Sequence, residues 1–113
     1  MRKLAAALPL LLLLAACGSG EKPPKAPLAR AKFERVLAGS LLIEARLGQE
    51  IQIEKRADSP AATYYQELFE QEGVTEADFK ATYEAYLQQP ELLKEVYQDV
   101  LNQLQQRADS LTH

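Results

Sequence analysis

Nucleophilic catalysis needs a Ser, Cys or Lys beside a base that takes its proton. This sequence of 113 residues holds one cysteine, Cys17, and one histidine, His113, far apart along the chain. It has no G-x-S-x-G elbow, no P-loop and no G-x-G-x-x-G turn. A single Cys excludes an intramolecular disulfide and a multi-Cys zinc site. There is no H-E-x-x-H and no calcium-loop spacing, so neither metal ligands nor a cofactor are expected. The 16 acidic residues supply paired carboxylates of the kind that cleave glycosides. Such pairs arise by accident on amphipathic helices, and they nominate no catalytic residue. The expectation is a protein that is not an enzyme, with no small-molecule substrate evident. A net charge of −3 gives no basic face for nucleic acid.

Two features remain that could do chemistry of another kind. Glu44 falls on an apolar stripe between Leu37, Leu41 and Leu47. A carboxylate there is costly unless hydrogen-bonded, and desolvation raises its pKa. Either a tyrosine hydroxyl satisfies it, or it lies at the stripe edge near Arg46 or Arg30, or it marks a polar point in a groove. The second feature is the run of tyrosines at Tyr64, Tyr65, Tyr83, Tyr86 and Tyr97. Tyrosine joins an apolar body to a polar tip, so it suits the rim of a small core and suits interfaces. Glu44 and the five tyrosines are the candidate lining of an interaction groove.

Helices must position these residues. The first pattern runs from about Leu28 to Gly48 or on to Glu54, with Phe33, Val36, Leu37, Ser40, Leu41, Leu47 and Ile51 on its inner side. Gly48 is a candidate break, and Ile51 to Ile53 a helix tail or loop. Asp58-Ser59-Pro60 reads as a cap with Pro in the first helical position. Tyr64, Tyr65, Leu68 and Phe69 make the second stripe, and Gly73 ends it. Thr75 caps the third helix, with Asp78 completing a capping-box variant. Phe79, Tyr83, Tyr86 and Leu87 face inward, and Gln88-Gln89-Pro90 ends that helix and starts the fourth. Leu93, Val96, Tyr97, Val100, Leu101 and Leu104 form a strong stripe, with fraying expected from about Arg107. The short connections favour antiparallel neighbours. The expected fold is all-α, a small bundle of about four helices spanning residues 28–113.

The start of the chain follows a different logic. Met1-Arg2-Lys3 is basic, Leu4 to Leu14 is apolar apart from one Pro, and small residues precede Cys17. This is the pattern of a secretory leader, too short to span a bilayer. Residues 1–16 are expected to be cleaved. Residues 17–27 then form a linker, loosened by Gly and Ser and stiffened by three prolines, with a reach of roughly 30 Å. Residues 18–35 carry five basic and two acidic residues, whereas residues 36–113 carry 6 basic and 14 acidic, a net of −8. The basic end either rests on anionic headgroups or is a solvated linker and helix face.

Leu14-Ala15-Ala16-Cys17 resembles the lipobox of bacterial lipoproteins. The resemblance implies cleavage before Cys17, a diacylglycerol on its sulfur and acylation of the new amino group. An ordinary leader cut nearby, leaving a stray cysteine, is the alternative. Two or more acyl chains anchor stably where one does not. Gly18 follows the cysteine, with no Asp to imply inner-membrane retention, so the resemblance points to the outer membrane and its periplasmic face.

SLLIEARL and YYQELFEQEGVTEADFKATYEAYLQQPELLKEVYQDVL resemble a family of short bacterial envelope lipoproteins known only as a domain of unknown function (number 4296 in its series). Glu44, Tyr64, Tyr65, Gly73, Val74, Thr75, Phe79, Tyr83, Tyr86, Pro90, Tyr97 and Asp99 fall at the places of its pattern. Glu72 departs from the basic residue common before the turn glycine. These are packing and turn motifs, so they imply fold and location and say little of activity. GVTEADFKATYEAYLQQPELLKEVY also resembles helical segments of parvulin-associated periplasmic chaperones. The expected function is that of a membrane-tethered, non-catalytic module binding another envelope protein, with a chaperone-like holder of unfolded envelope proteins as the alternative.

Overall fold

The computed structural model describes residues 22–53 and 60–112. The leader, Cys17, the Asp58-Ser59 cap and His113 lie outside the described residues. All regular structure among those described is helical, as expected: α1 Arg30–Ile53, α2 Ala61–Glu72, α3 Glu76–Leu87 and α4 Pro90–Thr112.

The helix ends follow local cap chemistry. Gly73 closes α2 in the left-handed region at φ 67°, and Gly73 and Val74 donate their N–H groups back to the carbonyls of Glu70 and Phe69. The Thr75 hydroxyl accepts from the Asp78 N–H at 3.0 Å, with Glu76 and Asp78 in the favourable first turn of α3. Pro90 opens α4 at a position whose N–H needs no helical partner. Two expectations are corrected. Gly48 does not break α1, because an interior glycine costs only about 1 kcal/mol and α1 runs on to Ile53. Where fraying was expected from about Arg107, α4 continues as helix to Thr112.

α1 is the hub, and it packs against each of the other three helices. Its first half is buried on nearly every side: Phe33, Glu34, Val36, Leu37 and Ala38 are all out of solvent. Lys32 reaches the Glu72 carbonyl, Gly39 faces Leu68, and Glu50 meets Tyr64, so α1 and α2 run antiparallel. Arg30 meets Asp99 and Glu34 meets Gln103, so α1 and α4 run parallel. α2 and α3 do not pack along their lengths despite the short turn between them. They touch through the rings of Phe69 and Phe79, with centroids 5.9 Å apart. That corner departs from the antiparallel pairing expected of short connections.

The core centres on Phe33. Its ring stacks on Tyr86 at 4.8 Å, meets Tyr83 edge-on at 6.1 Å and tilts against Phe79 at 5.6 Å. Leu92, Leu93, Val96 and Val100 close the shell from α4. Thr82, also fully buried, donates its hydroxyl to the Asp78 carbonyl at 2.7 Å and accepts the Leu28 N–H at 3.2 Å. Leu28 packs on the same core, so the segment before α1 is fastened to α3.

Phe33→Ala is expected to destabilise the fold by about 3–5 kcal/mol, because no side chain can fill the space between three rings. Gly73→Ala is expected to cost about 1 kcal/mol through its left-handed backbone alone. Urea unfolding followed by circular dichroism checks both, and near-equal losses would contradict this ranking.

Candidate functional site

The open corner between α2 and α3 leaves a groove of about 740 Å³. Tyr65 and Phe69 line it from α2, Val74 from the turn and Phe79 from α3, giving an apolar floor. Glu70 and Glu76 stand on its rim, and Lys80 is held to Glu76 at 3.0 Å. The Gly73 turn and the Thr75 cap set the angle at which the two helices part. No charged group lies on the floor, and the described lining contains no Ser, Cys or His. Among the described residues no three His, Cys, Asp or Glu side chains gather to hold a metal ion.

The structure does not bring the six candidate groove residues together. Tyr65 alone lines this groove. Its hydroxyl donates to Glu44, and burial, with that carboxylate, pushes its pKa up to about 12. Glu44 is exposed, which corrects its placement on the buried stripe. One of the alternatives weighed for it, a tyrosine hydroxyl partner, is the arrangement found. Tyr64 donates to the buried Glu50 at 2.6 Å and lies under Arg46, whose guanidinium carbon is 4.1 Å from the ring centroid. Tyr83 and Tyr97 share a hydroxyl bond at 2.8 Å across α3 and α4. Burial, then the hydroxyl bond with Tyr83, pushes Tyr97 up to about 12. Tyr86, 1 % exposed, belongs to the core and lines no surface.

Sequence reasoning missed a polar knot on the other side of α1. Arg30 donates to Glu34 at 3.1 Å and to Asp99 at 2.7 Å, and Glu95 stands at 3.8 Å. Gln103 donates to the second oxygen of Glu34 at 3.3 Å. Burial works against the Arg30 charge, but the Glu34 and Asp99 carboxylates outweigh it and its pKa rises. Burial pushes the Glu34 carboxyl above its ordinary range; Arg30 opposes the shift and the Asp99 charge adds to it. The four-residue spacing of Arg30 and Glu34 was the available signal, but it is common on solvated helices. The basic residues of this region are also engaged: Lys32 caps the Glu72 carbonyl at 2.8 Å and Arg35 pairs with Glu72 at 3.5 Å. Three of the cations considered for lipid headgroups therefore fasten α1 to its neighbours.

The Glu34 shift has a sign. Its folded pKa exceeds the unfolded one, so its contribution to stability is present at low pH and is lost as pH rises through the raised value. Glu34→Gln is expected to flatten the fall in Tm as pH rises above the ordinary carboxylate value of 4.5, relative to the unsubstituted chain. Thermal unfolding across that window measures it, and parallel profiles for the two proteins would contradict the assignment.

No helix among the described residues is long and apolar enough to cross a membrane. No curated protein and no solved structure matches the chain. One family model does, over residues 24–110, which takes in all four helices but the last turn of α4. With most of its length matched, the chain belongs to the family described as Domain of unknown function (DUF4296).

Proposed function

We propose that this chain is a lipoprotein of the outer membrane, anchored through Cys17 on the periplasmic side. In this reading it is a non-catalytic module whose α2–α3 groove holds an amphipathic helix of another envelope protein. The observation that carries the reading is the groove itself, an apolar floor of aromatic rings edged by Glu70 and by the Glu76–Lys80 pair. A floor of that size accepts two or three apolar side chains from one helix face. The rims and the net −8 of residues 36–113 favour a partner helix with Lys or Arg beside its apolar face. The lipobox spacing around Cys17 supports the anchor, and acyl chains there hold the module at a bilayer without a spanning helix.

Two experiments test the two halves of this reading. A photo-crosslinking residue at exposed Gln66, beside the groove, is expected to capture one partner at an amphipathic, basic helix. Glu70→Lys with Glu76→Lys is then expected to weaken that capture at least about tenfold. Capture of many extended, apolar segments instead would favour a chaperone-like holder. Capture of nothing would remove the groove as a docking site. Cys17→Ser is expected to release the protein from washed membranes, and retention of the variant there would overturn the lipid anchor.

A further inference from the structure

α2 sends neighbouring stripes in two directions. Tyr64 and Leu68 lie against α1: the Tyr64 hydroxyl meets Glu50, and the Leu68 side chain occupies the space where a side chain on Gly39 would start. Tyr65 and Phe69, one residue further round, line the groove. Tyr65 alone on that stripe reaches back to α1, where its hydroxyl donates to Glu44. Glu44 itself is exposed and stands outside the groove lining.

The rings of the floor form one row. Between centroids, Tyr65 lies 6.0 Å from Phe69, Phe69 5.9 Å from Phe79, and Phe79 5.6 Å from Phe33. Each pair is tilted, a favourable ring geometry. Both ends of the row rest on α1. At one end Phe33 is fully buried in the core. At the other the tie is the bond from Tyr65 to Glu44. These two points of α1 are about 16 Å apart at a rise of 1.5 Å per residue. The groove floor spans them like an arch.

The two ends of the arch are unequal. Phe79 packs on the core and meets the rings of Phe33, Phe69 and Tyr83. Tyr65 has one ring neighbour among the described contacts, Phe69. α2 has no buried residue to hold it in place. Without the Glu44 bond, other staggered orientations open to the Tyr65 ring. An occupant of the groove would then have to order that ring, at a loss of affinity of about threefold to tenfold.

We propose that Glu44 is a positioning residue for the α2–α3 groove: standing outside it, the carboxylate holds the Tyr65 hydroxyl and so fixes the Tyr65 ring as the outer end of the docking floor. The proposal rests on the groove being the docking site. Glu44 serves here as an acceptor and not as a charge for the partner, so Gln, which keeps an acceptor oxygen, should replace it.

Two measurements on the full chain in zwitterionic detergent micelles test this. The first uses no partner. Nuclear Overhauser contacts between the Tyr65 and Phe69 rings are expected in the unsubstituted chain and in Glu44→Gln, and their loss in Glu44→Ala. The second is calorimetric titration with a synthetic amphipathic helix of Leu and Lys, with chain-free micelles as the blank. Glu44→Ala and Tyr65→Phe should each weaken binding about threefold to tenfold, and Glu44→Gln should stay within about twofold. The double variant should be no weaker than either single one, because both remove the same bond. Circular dichroism should show all of them folded. An unchanged Tyr65–Phe69 contact in Glu44→Ala would overturn the positioning role. So would a Glu44→Gln variant as weak as Glu44→Ala, the mark of a charge that meets the helix directly, or a double variant weaker than both singles. Phe69→Ala, which removes the middle ring, separates the two claims. Binding indifferent to Phe69→Ala would overturn the docking reading and this proposal with it. Binding lost with Phe69→Ala but unmoved by Glu44→Ala and Tyr65→Phe would overturn the role of Glu44 alone.

Discussion

The ring of Phe33 has aromatic neighbours on three sides and no exposure to solvent. Its position requires α3 to lie across the start of α1, because Phe79, Tyr83 and Tyr86 all come from α3. It also requires α4 to follow closely, since Leu92, Leu93 and Val96 close the remaining side. The parallel course of α1 and α4 follows from these contacts, and so does the Arg30 knot that lies along it. A small domain buries a limited fraction of its surface, so one well-packed centre carries a large share of its stability.

That centre also explains the loose corner. α2 has no fully buried residue and is held to α1 mainly by its edges. Lys32 and Arg35 fasten its last turn, while Tyr64 and Tyr65 reach Glu50 and Glu44 at the other end. The core does not need α2 to close against α3, and the turn at Gly73 leaves them apart. The groove is thus a consequence of where the packing is spent. Of the apolar rings on its floor, Phe79 of α3 also packs on the core, and Phe69 of α2 meets it there.

Much of this was legible in the sequence, for identifiable reasons. Gly73, Thr75 and Pro90 act through bonds spanning a few residues, so their signals hold in any tertiary setting. The stripe of Leu93, Val96 and Val100 was read from spacing, and it is buried. Leu101 was read onto that stripe but lies on the outer side of α4, since Gln103 and Leu104 beyond it still meet α1 and the core. Glu44 matches the register of Leu37 and Leu47 but is exposed, with only the Tyr65 hydroxyl of α2 described as bonded to it. Glu34 and Thr82 are the converse, polar residues buried because another element crosses them. Periodicity shows which residues share a face of a helix; how far along that face a neighbour extends is a property of the assembled bundle. The groove was anticipated as a tyrosine-lined surface, and one of its tyrosines is there. The others serve as core, as hydroxyl pairs or as partners of glutamates.

The bond between Thr82 and Leu28 has a mechanical meaning. Tension arriving along the N-terminal segment reaches Leu28, which is hydrogen-bonded to the middle of α3 and packed on the core. The load therefore enters the most densely packed part of the molecule, and it arrives before α1 begins. α2 and the groove stand outside that path. A module pulled from this end would yield last at its centre, and the corner between α2 and α3 would keep its shape under the load.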